Sequence, residues 1–177
     1  PATANGPTSD IGFSRVQMGN IDNSTICGAV EFANFYDSSF GATPVYRGNT
    51  YSITLNRPSN NNNVSWKGWI DYNLDGIFNE TSELVLSEIN FSGTSKSFNI
   101  TVPSNAIIGS TVLRLGASIN STFLTPCAGF AGEYEDYRIT VVNNNVAPVI
   151  TLVGADTVCI ERMSAYSDAG ATATDDL

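Results

Sequence analysis

Apolar and polar residues alternate along much of this chain with a period of two, the signature of strands that bury one face. Tyr51, Ile53 and Leu55 alternate with Ser52, Thr54 and Asn56. Leu84 and Leu86 repeat the pattern, followed by Phe98, Ile100 and Val102. Leu113, Leu115, Ala117 and Ile119 predict a further strand, and Tyr137, Ile139 and Val141 the last of the series. Ile11 to Phe13 and Ala29 to Ala33 read as earlier strands, and Val64 to Tyr72 as one that carries both tryptophans, Trp66 and Trp69. Clusters of Asn, Gly, Ser and Pro separate these runs, including the four-Asn turn 60–63. No stretch carries the pattern of a long amphipathic helix. About eight strands over roughly 135 residues predict an all-β fold, an antiparallel β-sandwich of jelly-roll type.

The pattern also divides the chain. Residues 1–9 are small, polar and Pro-containing and read as a linker, and residues 10–143 hold the sandwich. Asn143-Asn144-Asn145 interrupts the alternation, and residues 144–177 begin something new, with short strands expected at Val149–Leu152 and Val158–Ile160. Such a tail of some 30 residues is too short to bury a core of its own. No signal peptide is present, and a chain beginning at Pro1 is expected to be a fragment or a mature form.

Charge narrows the partners. The net charge of −9 comes with no cluster of Lys and Arg, which argues against nucleic acid and against an anionic membrane surface. No apolar run approaches the length of a membrane-spanning helix. Histidine is absent, so a Ser-His-Asp triad, a Cys-His pair and a His-ligated zinc are all excluded within this sequence. An acidic chain does suit a divalent cation, whose charge relieves self-repulsion.

One loop has the residues for that. Asp71, Asn73 and Asp75 place side-chain oxygens at alternate positions, Gly76 permits a sharp turn, Ile77 offers its backbone carbonyl, and Glu83 follows as a late carboxylate. Calcium prefers hard oxygen ligands of this kind. The match to the EF-hand pattern is partial: Ser82 stands at the closing position, Glu83 is one residue late, and a strand precedes the loop. The expected site is therefore a calcium staple between strands, with Asp71, Asn73, Asp75, Ile77 and Glu83 as ligands. The competing reading is a polar hairpin turn that binds nothing.

A second acidic run, Gly132-Glu133-Tyr134-Glu135-Asp136-Tyr137, leads into the last strand. Alternation puts Glu133, Glu135 and Tyr137 on one face and Tyr134 and Asp136 on the other. Glu133, Glu135 and Asp136 are candidates for a further acidic site, against the plainer reading of a solvated cluster pinned by Arg114 or Arg138. Aromatic residues offer a glycan platform: Trp66, Trp69, Tyr72, Phe123 and Tyr134. The odd spacing of Trp66 and Trp69 turns them to opposite faces, and Trp66, next to the Asn-rich turn, is the one expected to be exposed. Of the three cysteines, Cys27 and Cys127 are the expected disulfide, closing a loop of about 100 residues and stabilising by roughly 4–5 kcal/mol in a chain-entropy treatment. Three reduced cysteines are the alternative.

Several ordered motifs carry a family resemblance. Asp71-Tyr72-Asn73-Leu74-Asp75-Gly76-Ile77-Phe78-Asn79-Glu80, the run Val102 to Arg114, Pro126-Cys127 and Gly132-Glu133-Tyr134-Glu135-Asp136-Tyr137 closely resemble the GEVED domain, with Tyr134 where the family has Val. The resemblance covers roughly residues 10–143. It implies a non-catalytic β-sandwich accessory module of large secreted and surface proteins of Bacteroidetes and marine bacteria, and it strengthens the metal reading, because the acid-rich loop is a feature of the family. The tail, from Ala147-Pro148-Val149 through Tyr166-Ser167-Asp168-Ala169-Gly170 to Asp175-Asp176, resembles the start of a bacterial immunoglobulin-like surface repeat, with Ala169 where such repeats carry Pro. The sequence thus leads to a secreted or cell-surface, calcium-stabilised accessory or adhesion module that neighbours other domains. The alternative is a carbohydrate-binding module that meets a polysaccharide or cell-surface glycan. An enzyme is not expected.

Overall fold

The computed structural model describes residues 11–25, 32–59, 61–119, 124–127, 132–144 and 148–174. By internal contacts the chain forms two units, Pro1–Asn143 and Asn144–Leu177. Among the described residues every regular element is a strand.

The first unit contains two sheets. Strands β1 (Arg15–Met18), β2 (Ile21–Ser24), β5 (Thr50–Asn56) and β8 (Ser95–Thr101) form one of them in the order β2-β1-β5-β8, antiparallel throughout. The other contains β3 (Phe32–Phe35), β4 (Thr43–Tyr46), β6 (Val64–Ile70), β7 (Leu84–Phe91), β9 (Gly109–Ser118) and β10 (Gly132–Val142). Its central path is β10-β9-β6-β7, antiparallel, while β3 and β4 follow one another along the free edge of β10 and run parallel to it. Those two parallel pairings depart from the antiparallel expectation.

The two sheets bury a common core. Val16, Met18, Ile53, Leu55 and Ile100 from the four-stranded sheet pack with Val64, Trp66, Ile70, Leu86, Leu113, Leu115, Tyr137, Ile139 and Val141 from the six-stranded one. This is a β-sandwich. A smaller cluster of Trp69, Leu124 and Tyr134, flanked by Phe32, Phe78 and Leu84, covers the opposite face of the six-stranded sheet. That sheet is thus buried on both sides, as the pattern of β6 shows: six of its seven residues are buried.

The local patterns explain several departures from the sequence reading. Ile11 and Phe13 are core residues but lie ahead of the first strand, which starts at Arg15. The four-residue strands β1, β2 and β4 are too short to show periodicity in the sequence. Gly132 opens β10 where β9 passes closest: a methyl group there would collide with the carbonyl oxygen of Ala117. Only a residue without Cβ fits that approach.

Among the described residues the second unit is an antiparallel hairpin, β11 (Val149–Leu152) with β12 (Ala171–Thr174). Val149–Leu152 is a strand as expected, paired with Ala171–Thr174, whereas Val158–Ile160 has no regular structure. Ladder pairing overrides the β-branched composition of the latter.

Candidate functional site

Strand β6 ends at Ile70, and the chain returns at Glu83 to start β7, so residues 71–83 form a loop at one end of the six-stranded sheet. The base of the loop is pinned. Ile70 N–H donates to the Glu83 carbonyl at 3.0 Å, and the Thr111 hydroxyl donates to the Asp71 carbonyl at 2.6 Å. The chain then turns through a ladder of side-chain-to-backbone bonds. Gly76 N–H donates to Asp71 Oδ2 (3.0 Å), Asp75 N–H to Asn73 Oδ1 (3.0 Å) and Ile77 N–H to Asp75 Oδ1 (2.7 Å). Each Asx side chain mimics a backbone turn, which is why these residue types sit at alternate positions. Gly76 takes a left-handed φ of 80°, and Leu74 adopts 55°, an uncommon conformation for a branched apolar residue.

Glu83 is buried and takes a different part from the one expected. Its Oε1 accepts from Tyr72 N–H (3.0 Å) and Asn73 N–H (3.3 Å), and its Oε2 from Asn79 N–H (2.8 Å). Both oxygens thus face backbone donors on the two sides of the loop. Asn79, which the sequence reading passed over, holds the next turn by accepting from Thr81 and Ser82 N–H. The spacing Asn79-x-Thr81-Ser82 was the available signal for that turn.

Of the five expected ligands, Asp71, Asn73, Asp75 and Ile77 lie on one hydrogen-bonded turn, while Glu83 braces it from behind. Among the described residues no three acidic side chains or thiols gather into a ready-made metal cluster. One atom nevertheless asks for a partner. Asp71 is 8% exposed, its Oδ2 is occupied by Gly76, and its Oδ1 is buried without a hydrogen bond. A carboxylate oxygen withdrawn from water is costly unless a donor or a cation meets it. The turn that follows carries hard oxygens on Asn73, Asp75 and the Ile77 carbonyl, a donor type that fits calcium chemically.

The acidic run on β10 is wholly internal. Glu133, Glu135 and Asp136 are all buried, so the solvated-cluster reading does not hold. Glu133 and Glu135 point into the sandwich because alternation aligns them with Tyr137, Ile139 and Val141 in the main core. Glu133 Oε2 accepts from Phe13 N–H at 2.9 Å. Glu135 Oε2 accepts from the Tyr137 hydroxyl at 2.6 Å, whose oxygen in turn accepts from Asn23 Nδ2 at 3.0 Å. Glu135 Oε1 accepts from the Thr25 hydroxyl at 3.1 Å, and that hydroxyl also lies 2.9 Å from the Phe13 carbonyl. Burial pushes the Glu135 carboxyl up to about 7, opposed by its hydrogen bonds from Tyr137 and Thr25. Burial also raises the Tyr137 phenol, and the Glu135 charge beside it adds to the effect. On the opposite face Asp136 pairs with Arg114, the residue that the sequence named as a partner.

Residues 65–140 match the family model of the GEVED domain. The match runs from β6 to β10 and takes in both the loop and the acidic run. A comparison with curated proteins finds no match.

Within this GEVED-like stretch the aromatic candidates among the described residues are buried. Trp66 and Trp69 are 0% exposed, Tyr134 0% and Tyr72 6%. Trp66 and Trp69 do face opposite ways, as their spacing predicts, but each meets a core: Trp66 lies between Phe13 and Phe91 in the main one, Trp69 beside Leu124 and Tyr134 in the smaller. Burial raises the Tyr72 and Tyr134 phenols. Phe123 and Cys27 lie outside the described residues. Cys127 and Cys159 are exposed with free thiols, and Cys127 Sγ is 3.9 Å from Arg114 Nη1.

Proposed function

We propose that this chain is a non-catalytic accessory module of a secreted or cell-surface multidomain protein, stabilised by a calcium ion at the Asp71–Ile77 turn. The observation that carries this reading is the buried, unpartnered Oδ1 of Asp71 at the foot of a turn rich in hard oxygens. Asp71, Asn73, Asp75 and the Ile77 carbonyl would hold the ion, which would supply the missing counter-charge to a turn carrying two carboxylates. Glu83 supports the site as a brace that keeps the Tyr72 and Asn73 amides in place. Outside the cell, millimolar calcium fills even a weak site of this type.

GEVED domains are commonly found as accessory modules, in keeping with this assignment. Supporting the non-catalytic part, the carboxylates of β10 are committed to internal hydrogen bonds and one ion pair. The sequence offers no histidine for acid–base work. The neighbouring domains of the parent protein are its first partners. A glycan platform of aromatic rings draws no support from residues as deeply buried as Trp66, Tyr72 and Tyr134.

Isothermal calorimetry of calcium into metal-free protein tests the reading. One site per chain is expected, lost in Asp71→Asn. No heat of binding at millimolar calcium would remove the calcium part of the proposal.

A further inference from the structure

The turn leaves its outer side open. Calcium takes about six to eight oxygens. Asp71, Asn73, Asp75 and Ile77 provide four residues' worth, and Glu83, which would ordinarily complete such a sphere, is held away by Tyr72, Asn73 and Asn79 N–H. Residues 73–77 are solvent-exposed. About two to four coordination positions would thus face outward for an exogenous ligand.

The surroundings define what that ligand is. A depression of about 310 Å³ adjoins the turn and shares Asn73 with it; the buried Tyr72 and Glu83 also line it, and Ser82, Pro103, Asn105, Ala106 and Ile107 form the rest of its wall. That volume lies at the lower end for small-ligand sites. No Lys or Arg lines it, and the chain carries a net charge of −9, so a free anion is disfavoured. Apart from the Glu83 carboxylate, whose oxygens are taken up by backbone N–H groups, the wall mixes amide and hydroxyl groups with the apolar surfaces of Pro103, Ala106 and Ile107. On the turn itself Leu74 and Ile77 are 38% and 69% exposed, and Leu74 is held there by a left-handed backbone. Neutral oxygens in adjacent pairs, set on a ring with apolar C–H faces, match both the open positions and this wall.

Resting on the calcium reading above, we infer that the Asp71–Ile77 turn and the depression beside it form a calcium-dependent carbohydrate site, in which a vicinal diol of one sugar residue completes the coordination and the ring contacts Asn105 and Ile107. This route needs no aromatic platform.

The test uses saturation-transfer NMR of the intact chain with methyl glycosides of mannose, glucose, galactose and fucose, in calcium and in EDTA, alongside calcium calorimetry. The expected result is transfer to at least one sugar in calcium and none in EDTA. Asn105→Ala, which lies off the turn, should keep its calcium uptake and bind that sugar roughly tenfold more weakly, the loss of about one hydrogen-bonded contact. Calcium uptake without transfer to any sugar overturns this inference and leaves the calcium reading standing. Transfer that is equal in calcium and EDTA also overturns it. Absence of calcium uptake overturns both.

Discussion

Arg114 and Asp136 stand directly opposite each other on β9 and β10 and join through two parallel hydrogen bonds, Nε to Oδ1 at 2.7 Å and Nη2 to Oδ2 at 2.6 Å. The guanidinium also donates to the Pro126 carbonyl and lies 5.5 Å from the Phe32 ring centre and 4.9 Å from that of Phe78. One side chain thereby ties β3, the 71–83 loop and the segment at Pro126 onto the outer face of the six-stranded sheet. Removing one partner strands a buried charge, at a cost of about 3–5 kcal/mol. Urea unfolding of Arg114→Ala and Asp136→Ala should show losses of that size, with the double variant far from additive. Losses under about 1 kcal/mol, as for an exposed pair, would contradict the tie.

Glu135 makes stability depend on pH. Its carboxyl is held up at about 7 in the folded protein, against an ordinary value of 4.5. The folded state therefore binds this proton more tightly than the unfolded one. The stabilisation is complete below the ordinary value, declines as pH rises, and is lost above the folded value, a change of about 3 kcal/mol. Glu135→Gln mimics the protonated carboxyl. Its stability relative to wild type should rise by about that amount between pH 4.5 and pH 8. A difference between the two proteins that stays constant with pH would exclude the effect.

Trp66 is a core residue, with its ring centre 4.8 Å from that of Phe91 and 6.0 Å from that of Phe13. Trp66→Ala should destabilise the fold by about 3–5 kcal/mol. Because Trp69 is equally buried, native tryptophan emission should be blue-shifted and resist quenching by iodide. Strong quenching of one tryptophan would contradict the packing on both faces of the sheet.

Much of this sandwich was legible in the sequence, for physical reasons that particular elements make plain. Ile53 and Leu55 gave β5 away because one face of that strand is solvated and the alternation survives. β6 offered the same alternation of Trp66 and Trp69, but a strand covered on both faces has no solvent side, so the expected exposure of Trp66 failed. β3 and β4 lie parallel to β10, a pairing set by long-range packing that no local pattern encodes. At the site, Asp71, Asn73 and Asp75 were readable because each makes a local turn bond two to five residues on. The role of Glu83 was not, because which way a carboxylate points depends on the backbone donors around it. Glu133 and Glu135 looked solvated because charge is usually exposed, whereas hydrogen bonds from Phe13, Thr25 and Tyr137 accompany their burial in the fold.

The measurement that bears most directly on the whole account is thermal unfolding of the chain in millimolar calcium and in EDTA, for wild type and Asp71→Asn. A ligand at about a hundred times its dissociation constant adds about 2.7 kcal/mol, which for a unit of this size raises Tm by roughly 5–10 °C. The account predicts that rise for wild type and none for Asp71→Asn. Equal Tm values for wild type in calcium and EDTA would contradict it, and the turn would then be a polar hairpin held by its own hydrogen bonds.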